Sequence, residues 1–233
     1  MSTAARARQE PRRLELVARE IAGLPGVETH AYRAGEMLLP TERLMRLHVY
    51  VSDGAIGLRL AVGRANNAML DVFGPGSLVT PQVWHPESST ETRHAVALLP
   101  STTLELSAEA FERHLTANLP FALAVVAWDG CRYAALVDRL AMLSLRDPLR
   151  RVANTLLLLA EQICATGDSP GGARLEVSQD LIAAFANLSR QTTNRQLRRL
   201  ARAGLAGLER RVVDLRDLPA LRGIAAGRRP APR

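Results

Sequence analysis

The sequence has no lysine; all 30 of its Lys/Arg cations are arginine. Each cation is therefore a planar, permanently charged fork able to grip a phosphate or a guanine edge at two points. Cysteine is scarce. Cys131 and Cys164 are too few for a disulfide framework or a four-cysteine iron–sulfur site, and both are read as ordinary helix residues. No uninterrupted apolar run reaches the roughly 18 residues that a membrane-spanning helix needs. The arginine-rich stretch Met1 to Arg13 lacks the apolar core of a secretory signal. The chain is accordingly read as cytoplasmic, without a membrane partner. Its five histidines (His30, His48, His85, His94 and His114) show no metal-ligand spacing, so no metal site is expected. There is no glycine-rich phosphate loop, no nucleophile motif and no paired acid and base. Neither catalytic residues nor a cofactor are expected, and the chain is not read as an enzyme.

What is present is charge, and it is segregated. The formal net charge is +7. Residues 178–233 hold twelve arginines against Asp180, Glu209, Asp214 and Asp217, a net +8, which leaves −1 for residues 1–177. A positive field concentrated in the last quarter of the chain suits a polyanion, whereas a solubilising surface gives no reason for the segregation. Hydrophobic residues make up 47% of the 233, enough for the cores of two modest domains.

Residues 1–12 are expected to be a disordered tail, and residues 13–25 a short helix with Leu14, Val17 and Ile21 on one face. The pattern then changes to short apolar runs at 44–51, 55–62, 68–73, 95–99 and 103–106. Turn signals separate them at Ser52-Asp53-Gly54, at 63–67 and at Gly74-Pro75-Gly76. Such spacing predicts an antiparallel β domain over 13–117. Helical periodicity follows over 118–146. Leu119, Leu123, Val126, Gly130, Tyr133, Val137 and Leu140 recur at alternating four- and three-residue steps, a heptad seam. Gly130 would let a second backbone approach closely. The opposite face, with Phe121, Val125, Trp128 and Leu136, is apolar too. The seam fits a partner helix in a homodimer, or else a core helix packed on its own β domain. Asp147 and Pro148 suit the N-cap and first position of a further helix running to about Ala165.

Residues 178–203 carry the most specific signal. Ser178 is an N-cap candidate. Ile182, Phe185 and Ala186 make one inward face, Asn187 tolerates the left-handed backbone of a tight turn, and Ser189 caps a second helix. Two short helices joined this way form a helix-turn-helix. At about 100° per residue, Thr193, Leu197 and Leu200 fall on one side of the second helix. Arg190, Gln191, Asn194, Arg195 and Arg198 fall on another arc that holds no carboxylate. Arginine can read guanine, and glutamine or asparagine can read adenine, at the edges of the major groove. After Gly204, residues 205–208 and 211–215 predict a hairpin, or wing, whose Arg210 and Arg211 can reach phosphate. Residues 217–225 predict a closing helix, and 227–233 a basic tail.

Residues 188–200, LSRQTTNRQLRRL, resemble the recognition-helix pattern of the cyclic-AMP receptor protein / fumarate-nitrate reduction regulator (Crp/Fnr) family: a Ser-Arg pair opens the helix and an arginine follows five residues later. The likeness runs from about Tyr32 to Leu218 and is strongest over 147–215. It implies an α+β fold: an N-terminal antiparallel β-roll (a cyclic-nucleotide-binding-like jelly roll), a long dimerisation helix and a C-terminal winged helix-turn-helix over 147–226. It also implies a bacterial transcription regulator that binds a two-fold double-stranded DNA operator as a homodimer, with RNA polymerase as a further partner. On this match Arg190 and Arg195 inherit the base-reading roles, and Gln191 stands where the family usually has Glu. Phe73-Gly-Pro-Gly-Ser77 matches a landmark of the roll, but the effector cassette departs from pattern. Thr80-Pro81 occupies the Gly-Glu place, Glu91 falls where the phosphate arginine belongs, and Arg93 is two residues away. The resemblance thus implies a degenerate effector pocket and no response to cyclic AMP. The competing reading is a ligand- or haem-binding sensor acting through a protein partner, with His85 and His94 as the haem candidates.

Overall fold

The computed structural model describes residues 10–38, 46–62, 66–80, 92–164 and 172–228. The chain divides into two compact units, Met1–Ile56 with Phe73–Asp138, and Gly57–Val72 with Arg139–Arg233.

The first unit opens with α1 (Glu10–Ala22), which begins three residues before the expected start. Residues 10–12 are therefore helical rather than part of a tail, and Val17 and Ile21 are buried as the face pattern required. A four-stranded antiparallel sheet follows in the order β1 (Glu28–Tyr32), β7 (Ser101–Ser107), β2 (Leu47–Asp53), β5 (Leu78–Val79). Tyr50 pairs with Leu104 and Val51 with Thr103, and a bulge then sets Asp53 opposite Thr102. The turn after β2 needs a glycine. Gly54 has φ +82°, and a side chain there would collide with the Pro100 carbonyl and with Ser101. Strand β6 (Thr92–Ala97) bonds back to the 35–38 segment through Gly35 N–H to Ala97 O and Leu38 N–H to Ala95 O. Helix α2 (Ala108–Ala117), capped by Ser107, brings Phe111 into the core. The core joins Val17, Ile21, Tyr50, Leu78, Leu106, Phe111, Phe121, Ala124 and Val125.

His48 sits in this unit with its ring stacked on Phe111 at 3.7 Å between centroids, and its buried Nδ1 has no hydrogen-bond partner among the described residues. Burial lowers its pKa to about 4 from the usual 6.5. The folded state holds it neutral while the unfolded chain takes up a proton near pH 6.5. Stability is therefore unaffected above pH 6.5 and is lost as pH falls toward 4, by about 3 kcal/mol at most. Urea melts at pH 7.5 and pH 4.5 should show this decrement in the wild type and a smaller one in His48→Phe. Equal decrements in the two proteins would reject it.

Helix α3 (Leu119–Leu143) buries Phe121, Ala124 and Val125 in the same core. Its expected seam faces out: Leu119, Leu123, Val126, Tyr133 and Leu140 are each 60–71% exposed, and Val137 is 46% exposed. Leu136, expected on the inward face, is exposed as well. By length and mean hydropathy α3 could cross a bilayer. The sequence expectation of no such segment holds for uninterrupted runs, not for the average, because Asp129, Arg132, Asp138 and Arg139 break the apolar stretch.

In the second unit α4 (Pro148–Ile163) is the central helix. Asp147 caps it, accepting from Leu149 N–H at 2.9 Å, with proline in the first turn as expected. Its buried Leu149, Val152, Ala153, Leu156 and Leu159 pack against α5 (Gln179–Ala186), α6 (Arg190–Arg202) and α7 (Leu218–Ala225). A three-stranded antiparallel sheet, β8 (Ala173–Leu175), β10 (Val213–Leu215), β9 (Ala206–Leu208), forms the wing. This unit also takes in most of β3 (Ile56–Val62) and β4 (Asn66–Phe73).

Candidate nucleic-acid interface

The helix-turn-helix is fixed by local chemistry at each junction. Ser178 Oγ accepts from Leu181 N–H at 3.1 Å and starts α5. Asn187 ends it in the left-handed region at φ 50°, ψ 50°, the one non-glycine residue with positive φ among those described. There Asn187 N–H bonds to Ala184 O and Leu188 N–H to Ala183 O, which satisfies carbonyls at the helix end. Arg151 Nη1 donates to the Asn187 carbonyl at 3.3 Å, tying the turn to α4. Ser189 Oγ then accepts from Thr192 N–H at 3.1 Å to start α6.

Packing sets the rotation of α6. Thr193, Leu197 and Leu200 are fully buried, as the wheel required, and Gln196 is buried beside them. With that face committed to the core, the other arc is presented outward. Arg190, Gln191, Arg195 and Arg198 are exposed and Asn194 is half-buried. Together with Thr192, Arg199 and Arg202 they line one open concave surface. Gln196 was not singled out by the sequence, since nothing in its type marks it as inward-facing. Its Oε1 accepts from Arg199 Nη1 at 2.9 Å, so it orients a cation from within the core edge.

The wing is as expected in its hairpin. Glu209 N–H bonds to Val212 O across the tip, and Arg210 and Arg211 are exposed there. Strand β8 was not anticipated. It brings Arg174 to Asp214 at 3.1 Å and to Glu209 at 3.8 Å, leaving the wing's carboxylates paired on one side.

Arg139 is a second residue that the sequence did not flag. It is buried, stacks 4.1 Å over the Phe185 ring of α5, and donates to the carbonyls of Met69 on β4 and Phe185. Burial lowers its pKa and Asp71 partly opposes that shift.

Of the effector positions, Thr80 is half-buried just beyond β5. Pro81, Glu91 and the side chain of Arg93 lie outside the described residues, as does His85. Among the described residues no group of three or more His, Cys, Asp or Glu could hold a metal ion.

These features define a winged helix-turn-helix domain in a chain that also holds an N-terminal β domain. Residues 150–224 match the family model of the Crp-like helix-turn-helix domain. No curated protein matches the sequence. Among solved structures, a cyclic nucleotide-binding domain containing protein from Listeria monocytogenes superposes with a TM-score of 0.72 at 14% identity, covering 89% of this chain and 99% of its own. FixK2 from Bradyrhizobium japonicum superposes at 0.68 with 18% identity, covering 85% and 96%. CLP, a c-di-GMP-responsive global regulator from Xanthomonas campestris, superposes at 0.61 with 21% identity, covering 86% and 98%. At such identities the likeness carries the fold. The chain thus carries a Crp-like helix-turn-helix domain over residues 150–224 and shares its overall fold with these solved structures.

Proposed function

We propose that the chain is a sequence-specific, dimeric transcription regulator whose α6 lies in the major groove. The observation that carries this reading is the outward arc of α6. Arginine, glutamine and asparagine side chains occupy it from the helix N-terminus onward, where base contacts are made. The exposed apolar stripe of α3 supports the dimer. A monomer has no use for the six large apolar side chains Leu119, Leu123, Val126, Tyr133, Val137 and Leu140 exposed in one line, whereas a second copy would bury them. Two recognition helices about 34 Å apart then read a two-fold site. The reading places this work in the cytoplasm, with RNA polymerase as the further partner.

Gel shifts at fixed salt test the assignment. Arg195→Ala should weaken binding to the preferred duplex by about 1–3 kcal/mol and relax preference at one base pair. Loss of Arg210 or Arg211 should instead weaken all duplexes alike and lower the salt slope by about one unit each. Unchanged affinity for Arg195→Ala, or sequence-selective losses at the wing, would reject these roles.

The proposal includes insensitivity to cyclic nucleotides. On the family resemblance, Thr80-Pro81 replaces the Gly-Glu pair, and Glu91 stands where a phosphate-binding arginine belongs. A carboxylate beside a cyclic phosphate repels it. Titration calorimetry with cyclic AMP and cyclic GMP should give no micromolar binding, and a micromolar isotherm for either would overturn this part.

A further inference from the structure

We propose that Asp180 is a specificity-determining positioning residue, holding Arg190 by its Nε so that the two Nη groups face a guanine; this rests on the DNA-binding reading above. Asp180 lies in the first turn of α5 and Arg190 opens α6. Although ten residues apart, the helix-turn-helix brings Asp180 Oδ1 to 3.1 Å from Arg190 Nε.

Three physical features make the contact more than an incidental surface pair. The first is its geometry. The carboxylate takes the Nε edge, and the bidentate reading of guanine O6 and N7 needs the Nη edge, which this contact leaves free. An unheld arginine carries rotamer freedom that is lost on binding, and a guanidinium already oriented loses less.

The second is the helix field. Arg190 is the first residue of α6, where the macrodipole is positive and a cation is disfavoured, and α6 has no acidic residue in its own first turn. Asp180 supplies that anion from the neighbouring helix. The third is the backbone. In a helix-turn-helix the first helix crosses the phosphates, so an unpaired carboxylate in its first turn would repel DNA. Pairing with Arg190 offsets that repulsion. The frame behind the pair is rigid, because Ile182 and Phe185 of α5 and Leu197 and Leu200 of α6 are fully buried.

As an exposed pair it adds little to folding stability, so its removal leaves the protein folded. Its effect is on selectivity. The test measures full-length wild type, Asp180→Ala, Asp180→Asn, Arg190→Ala and the Asp180→Ala/Arg190→Ala double variant against the wild type's preferred duplex and its single-base-pair variants.

Asp180→Ala should tighten binding to every duplex, because a negative charge beside phosphate is gone. It should also lower discrimination at the one base pair read by Arg190 by about three- to tenfold. Asp180→Asn, which keeps the acceptor, should retain part of that discrimination. In the Arg190→Ala background Asp180→Ala should leave discrimination unchanged at every position. Uniform tightening with discrimination intact at all positions overturns this inference alone, as does an equal loss with and without Arg190. Failure of the wild type to prefer any duplex overturns the DNA-binding reading, and this inference with it.

Discussion

Replacing Leu123 and Val126 together with arginine is expected to yield a folded monomer that loses operator affinity by about 10²- to 10⁴-fold, the advantage of engaging two half-sites at once. The two side chains are 60% and 66% exposed in the single chain and sit three residues apart, as neighbours in the seam of α3. They contribute nothing to the chain's own core, which α3 meets through Phe121, Ala124 and Val125, so folding should survive the change. A helix of 25 residues runs about 37 Å, long enough for Leu119, Leu123, Val126, Tyr133, Val137 and Leu140 to form a continuous seam with a second copy. Two arginines in that seam would be buried unpaired on each side. Sedimentation velocity should report a dimer for the wild type and a monomer for the variant, with circular dichroism unchanged. A variant that stays dimeric would place the interface elsewhere.

The second large effect falls on the helix-turn-helix core. Phe185→Ala should destabilise the protein by about 3–5 kcal/mol. The ring is fully buried on α5, and it also carries the stacked guanidinium of Arg139, which the substitution strands in an apolar cavity. Against the roughly 5–15 kcal/mol that holds a typical domain folded, this is a large fraction, and α6 would lose its support along with α5. Urea denaturation followed by far-ultraviolet circular dichroism measures it. A loss under about 1 kcal/mol would mean that the neighbouring helices close the gap.

The contrast between the two halves explains what could be read from sequence. Ser178, Asn187 and Ser189 announce the helix-turn-helix because each acts on backbone within a few residues, and the structure places all three as caps. The outward arc of α6 was legible for the same reason: over its 13 residues the helical period sorts Thr193, Leu197 and Leu200 from the arginines. In the first unit, strands with strong apolar runs such as β2 and β7 were legible. Strand β1, Glu-Thr-His-Ala-Tyr, was not. It is an edge strand with little burial, and its pairing with β7 spans some 70 residues. Strands β5 and β8 are two and three residues long and exist by virtue of distant partners. Leu136 was assigned inward on periodicity, but the first unit's core takes nothing from α3 beyond Trp128, and Leu136 stays 42% exposed. Arg139 and the pairing of Asp180 with Arg190 depend on residues brought together by the fold, and no spacing rule reveals them.

The most direct test is selection of bound sequences from a random duplex pool by the purified full-length protein. A groove-reading pair of α6 helices predicts a two-fold motif whose half-site centres lie about 10–10.5 base pairs apart, with a strong guanine in each half that Arg195→Ala relaxes. Recovery of no motif at moderate salt, or of a motif that Arg195→Ala and Arg190→Ala leave unchanged, would contradict the assignment of that helix.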